Sequence, residues 1–180
     1  MQLGDTLRKA RQIKQKLSHP SCAAIIVAAG SSARMGGVDK ILAELGGLPV
    51  LSRTLRVFDD HEMIDSIVVV ARRDQMQKIS RVCSPYHKVR IVVPGGTSRQ
   101  ESVLNGLAAV PEGTEIVAVH DGARPLVPHD VISKTIEKAA KFGAAAPAVP
   151  VKDTIKVSRY GDVDQTPDRA TLFAVQTPQI

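Results

Sequence analysis

The sequence predicts a Rossmann-like α/β fold: a mostly parallel sheet with helices on both faces and a projecting β-arm. Three observations carry that expectation. Aliphatic runs alternate four times with amphipathic stretches, which implies parallel strands joined by right-handed crossovers. The runs are near-continuous Ala, Val and Ile, as in strands buried on both faces. With no Trp and only 3% aromatic residues, the core has to be packed from those aliphatic side chains.

Strands are expected at residues 23–29, 66–71, 89–93, 115–120 and 144–150, and helices near 50–59, 74–83, 98–109 and 128–142. Residues 151–175 differ in texture. They are polar, Tyr160-Gly161-Asp162 is a turn signal, and TIKVS and TLFAV alternate in polarity, which reads as a β-hairpin or arm leaving the sheet. Ahead of the first strand, Leu3, Leu7, Ala10, Ile13 and Leu17 fall close to helical spacing among basic residues. Residues 1–20 are therefore expected to form an appended extension, most simply a solvated helix. Residues 21–180 are of ordinary size for one domain.

There are 24 Lys and Arg against 18 Asp and Glu, a formal charge of +6. Such a surplus suits nucleic acid, acidic membranes or phosphorylated small molecules. Nucleic acid is disfavoured, because aromatic residues for stacking bases are nearly absent and Lys/Arg cluster only over residues 8–16. No apolar stretch reaches the ~18–20 residues of a membrane span. Small phosphates are the expected ligands. Cys22 and Cys83 form no metal-binding spacing, so a reduced chain in the cytoplasm is expected, or in a plastid after processing.

The first chemical motif runs from Ala28 to Gly37 (AAGSSARMGG), directly after the first strand. Ligands of open α/β sheets sit beyond the carboxyl ends of the strands, and a loop of Gly, Ala and Ser there can turn backbone N–H groups toward phosphate. Arg34 and Lys40 follow and supply charge for a polyphosphate. The spacing fits neither GxGxxG nor GxxxxGK[ST]. The bland alternative is a tight turn with surface cations.

The second motif, Pro94 to Ser102, also follows a strand. Ser98 and Glu101 have capping-box spacing, which accounts for both without ligand chemistry. Gly95 and Gly96 allow close approach to a base or ribose, and Ser102 lies one turn further on. The third is His120-Asp121-Gly122-Ala123-Arg124-Pro125. Asp121 suits a metal or a substrate hydroxyl, and Arg124 a phosphate. A plain ion pair between them is the alternative. His120 reads as a structural strand-end residue.

In order and spacing, AAGSSARMG, GGTSRQESVLNGL, VHDGARP, VKDTIK and DRATLFAVQTPQ resemble the 2-C-methyl-D-erythritol 4-phosphate cytidylyltransferase family of the non-mevalonate isoprenoid pathway. The resemblance covers residues 23–180. It implies that CTP and methylerythritol phosphate give CDP-methylerythritol and pyrophosphate, with Mg²⁺ on the triphosphate and no metal ligand assigned. By the same resemblance, Arg34 and Lys40 are catalytic cations. Ala28, Ala29, Gly30, Gly96, Thr97 and Ser102 bind the nucleotide, and Asp121, Arg124, Thr154 and Arg169 bind the sugar phosphate. A homodimer with interlocking arms is implied.

The chain departs from the family's Pro-Lys-Gln at Asp39-Lys40-Ile41. The family also continues past TPQ with a second lysine and a metal-linked aspartate. A chain ending at Ile180 is therefore expected to be truncated and to bind nucleotide with impaired turnover. The alternatives are a cytidylyltransferase for another polyol phosphate, such as ribitol 5-phosphate, and a nucleotide-binding or dimerising domain without turnover.

Overall fold

The computed structural model describes residues 19–30 and 39–180. The expected helix over residues 3–17 and the expected catalytic residue Arg34 lie outside the described residues. The chain enters β1 (Cys22–Ala28), then a small hairpin of β2 (Glu44–Leu45) and β3 (Leu48–Pro49), then α1 (Val50–Asp60). Next come β4 (Ser66–Ala71), α2 (Met76–Cys83), β5 (Val89–Pro94) and α3 (Arg99–Leu107). They are followed by β6 (Ile116–Asp121), α4 (His129–Phe142) and four short strands: β7 (Ala148–Pro150), β8 (Val157–Arg159), β9 (Asp162–Gln165) and β10 (Phe173–Val175).

The central sheet has the order β5-β4-β1-β6, with every pairing parallel. The chain steps outward from β1 through β4 to β5, then returns to the other side of β1 as β6. That reversal makes β1 the topological switch, and the crevice beyond its carboxyl end is where such sheets bind ligands. Both faces are covered. Ala24, Ile26 and Ala28 of β1 pack in one core with Leu51, Leu55 and Phe58 of α1, Ile79 of α2 and Ile132 and Ile136 of α4. Ile25, Val68 and Val70 pack on the opposite face, beneath α3. Alternate residues of one strand thus serve opposite cores, as the period of two requires. α3 lies close because Gly106 has no side chain: a Cβ there would stand 2.7 Å from Ile25 Cγ2.

Two expectations need correction. The fifth run, residues 144–150, is not a strand of the parallel sheet. Only Ala148–Pro150 forms a strand, paired with β10 in an antiparallel ribbon, while Ala145 exchanges backbone hydrogen bonds with Ile180, both at 2.9 Å. The sheet's β6 edge instead meets Gln179 in an antiparallel bridge to Val119. The arm turn does fall at Tyr160-Gly161, where both residues have positive φ (55° and 96°), as a tight hairpin turn demands. However, β8 returns as β9, so TLFAV pairs with β7 rather than with TIKVS.

Candidate active site

Three loops meet at the carboxyl ends of the parallel strands. Gly122 N–H donates to Val27 O at 2.8 Å and Gly95 N–H to Ala71 O at 2.8 Å, so each loop is tied to a neighbouring strand end. A Cβ on Gly95 would stand 2.4 Å from Ala29 Cβ, which places the second glycine motif against the first. Together they border a cavity of about 1030 Å³.

Ala29, Gly30, Lys40, Gly96, Thr97, Ser102, Asp121 and Arg124 all line this cavity, so most sequence-expected residues converge. Ala28 does not: its side chain is buried in the core beneath α1, leaving only its backbone to serve a ligand. Ser102 is buried too. Its hydroxyl accepts from Gly96 N–H at 3.1 Å and donates to Ser98 O at 2.9 Å, so it shapes the loop from behind. The capping expectation holds in modified form. Ser98 Oγ accepts from Glu101 N–H at 3.0 Å, but the Glu101 carboxylate reaches the N–H and hydroxyl of Thr97, each at 2.7 Å. Those bonds from Thr97 hold the Glu101 carboxyl below its ordinary value. Any side chain on Gly96 would collide with Glu101, at 2.2 Å.

Asp121 and Arg124 are paired, with Nε donating to Oδ2 at 3.1 Å, as the plain ion-pair reading has it. A second arginine shares the carboxylate: Arg99 Nη2 donates to Asp121 Oδ1 and to Gln179 Oε1, both at 3.4 Å. Arg124 also donates through Nη1 to Gln176 Oε1. His120 is fully buried, in ring contact with Phe58 at 4.7 Å, and burial pushes its imidazole down to about 4. It stays neutral and structural, as its strand-end position suggested.

Sequence reasoning missed Arg72 and Arg99. Arg72 is the first residue beyond β4 and lines the same cavity; bonding to Asp74 raises the pKa of its guanidinium. The strand-end rule that selected Gly30 and Asp121 would have selected it. Among the described lining residues, four cations (Lys40, Arg72, Arg99 and Arg124) face one carboxylate, Asp121. That imbalance suits a polyanion. No group of three metal-binding side chains exists among the described residues. Mg²⁺, which takes only one or two carboxylates beside substrate phosphates, finds at most Asp121 here, already shared by two arginines.

Thr154 and Arg169 are not brought to this cavity. Both are exposed on the arm, where Arg169 Nη1 donates to Lys152 O at 2.9 Å.

The profile of the 2-C-methyl-D-erythritol 4-phosphate cytidylyltransferase family matches residues 22–180. The chain belongs to that family. The relative from Syntrophotalea carbinolica that bears the family's name is 48% identical over 161 residues, covering 86% of this chain and 69% of its own. The cytidylyltransferase of Clostridium botulinum strain 657 is 45% identical over 159 residues, with the same two coverages, 86% and 69%. In three dimensions, the 4-diphosphocytidyl-2C-methyl-D-erythritol synthase of Anaerococcus prevotii superposes with a TM-score of 0.79 at 36% identity, over 89% of this chain and 70% of that one. Membership makes the chain a nucleotidyltransferase with a Rossmann-like fold, and agrees with the five motifs in register. No helix among the described residues is long and apolar enough to cross a membrane.

Proposed function

We propose that this cavity joins CTP to 2-C-methyl-D-erythritol 4-phosphate, giving CDP-methylerythritol and pyrophosphate for isoprenoid precursor synthesis. The observation that carries the site assignment is the excess of four cations over one carboxylate at the switch of the parallel sheet. The sugar phosphate's oxygen attacks the α-phosphorus of CTP. A P–O bond forms there as the bond to the β-phosphate oxygen breaks, and pyrophosphate leaves with the electron pair. The attacking oxygen is already anionic, so no general base is required. Catalysis then rests on positioning and on stabilising charge in the transition state.

Lys40, with Arg34, takes the role of the cations on the pentacoordinate phosphorus and the departing pyrophosphate. Ala28, Ala29 and Gly30 offer backbone groups to the nucleotide, while Gly96 and Thr97, whose N–H groups are taken by Ser102 and Glu101, border it from a loop that Ser102 holds. Asp121 and Arg124 face the sugar phosphate. Mg²⁺ bound to the triphosphate would supply charge neutralisation, and among the described lining residues Asp121 is the carboxylate that would hold it. Thr154 and Arg169 complete the site from the arm of a second copy, in a homodimer. Support comes from their place on the arm, outside the cavity's lining, and from the arm's exposed apolar side chains, among them Val149, Val163, Phe173 and Val175. The cytoplasm is the proposed compartment, consistent with two buried thiols that form no disulfide.

Calorimetric titration of CTP, UTP, ATP and GTP with Mg²⁺ tests the reading. Selective CTP binding, followed by pyrophosphate release with methylerythritol phosphate but not with ribitol 5-phosphate, is the expected result. Indifference to all four nucleotides would refute it.

A further inference from the structure

Lys40 lies in a turn between two anchors. On its C-terminal side Ile41 is 5% exposed and sits in the core, and its carbonyl accepts from Leu51 N–H at 3.0 Å. On its N-terminal side, Asp39 is half-buried and both of its carboxylate oxygens are engaged. Oδ1 accepts from Ile41 N–H at 3.1 Å, and Oδ2 accepts from the side-chain amide of Gln75. The Asp39 carbonyl closes the turn, accepting from Leu42 N–H at 3.2 Å and Ala43 N–H at 2.8 Å. Gln75 ends the 3-10 turn Arg73–Gln75, and its N–H donates to Arg72 O at 3.0 Å. One side-chain bond, between residues 36 positions apart, therefore ties the segment carrying Lys40 to the corner carrying Arg72. Both cations line the cavity.

A carboxylate beside a lysine that must face polyphosphate is at first sight a liability, because it opposes the incoming anion. The geometry gives it another use. Each oxygen accepts one bond, from a backbone N–H and from a neutral amide, so the carboxylate ties the turn together. A long, flexible lysine is effective on a phosphate only if its backbone is held still, since a misplacement of about 1 Å can cost orders of magnitude in rate. We infer that Asp39 and Gln75 act as a pair of positioning residues that fix Lys40 at the phosphate side of the cavity. The role rests on the nucleotide reading above, and it belongs to this chain's Asp39-Lys40-Ile41 sequence.

Two measurements test the pair, one with nucleotide absent. Amide hydrogen exchange of Ile41, Leu42 and Ala43 is followed in the unliganded wild type and in Gln75→Ala, which leaves the Ile41 acceptor in place. Exchange at Ile41 accelerates on the order of tenfold if Gln75 holds the carboxylate, and unchanged exchange overturns the inference. CTP affinity is then measured by calorimetry. Asp39→Ala and Gln75→Ala each weaken binding on the order of tenfold, and Asp39→Ala adds no loss to Lys40→Ala. Asp39→Asn, whose oxygen keeps the bond from Ile41 N–H and whose amide NH2 donates to a flipped Gln75 Oε1, restores binding. Tighter binding by Asp39→Ala, or an undiminished loss in the Lys40→Ala background, shows that Asp39 does not act through Lys40. A wild type that fails to bind CTP sinks the nucleotide reading instead, and the exchange result alone decides whether the latch exists.

Discussion

Thr177 Oγ1 donates to His120 Nδ1 at 3.0 Å, joining two residues 57 positions apart behind the candidate site. His120 Nε2 lies 3.1 Å from the Arg124 carbonyl, which can only accept, so the proton of the neutral ring sits on Nε2. Asp121 N–H approaches the same Thr177 hydroxyl at 3.4 Å. One buried polar cluster thus connects the Gln176–Ile180 segment to the loop that carries Asp121 and Arg124.

Thr177→Val tests that cluster. Valine keeps the shape but removes the donor to His120 and the acceptor for Asp121, leaving a buried ring nitrogen unsatisfied. Such a loss costs about 1–3 kcal/mol. Urea unfolding should show a lower midpoint with an unchanged slope. An unaltered midpoint would mean that the cluster contributes nothing net to stability.

His120 also makes stability depend on pH. Its folded value is about 4, below the ordinary value of 6.5, because burial penalises the imidazolium. Between those values the unfolded chain binds the extra proton, so this contribution is complete above about pH 6.5 and is lost as pH falls toward 4. The full effect is on the order of 3 kcal/mol. His120→Gln cannot ionise and should show a shallower loss over that window, measured by unfolding at a series of pH values. His61, also lowered mainly by burial, contributes with the same sign in both proteins and drops out of the difference. Parallel curves for the two proteins would show that His120 is not the titrating group.

The fold was legible because strand burial on both faces leaves its mark in composition: β1 and β4 are uninterrupted aliphatic runs, and their ends fell within a residue of expectation. The gathering of residues at the candidate site was legible through position, since Gly30 and Gly96 each follow a strand and Asp121 ends one. Residues 144–150 misled because Ala and Pro at that spacing look as apolar as a core strand, while pairing is decided by Phe173–Val175, far along the chain. Arg99 was hidden for a related reason. Its partner Asp121 is 22 residues away, and no local spacing announces that they meet. Ala28 and Ser102 belong to the ends of regular elements rather than to the loops. Ala28 closes β1 with its side chain in the core, and Ser102, early in α3, lines the cavity with its hydroxyl already engaged by Gly96 N–H and Ser98 O.

Arg99→Ala distinguishes a ligand-binding cation from a counter-ion. If Arg99 serves phosphate, its removal should weaken CTP or pyrophosphate binding on the order of tenfold and flatten the dependence of affinity on salt. Calorimetry at two ionic strengths measures both. Equal affinity at either salt would confine Arg99 to sharing Asp121 with Arg124.

Mixing two defective variants tests where the arm acts. Arg124→Ala damages the cavity and Arg169→Ala the arm, and each alone should lose pyrophosphate release with methylerythritol phosphate while keeping CTP affinity. If the arm of one copy serves the cavity of the other, a mixed dimer holds one doubly damaged site and one intact site. Random reassortment makes half the dimers mixed, so activity returns to about a quarter of wild type. If each arm serves its own cavity, every site in every dimer carries one lesion and nothing returns. Recovery that scales with the mixed species, resolved by differently tagged chains, therefore places Arg169 in trans. Its absence from a verified mixed dimer places Arg169 in cis, and the arm would then have to fold back toward Arg124 within one chain.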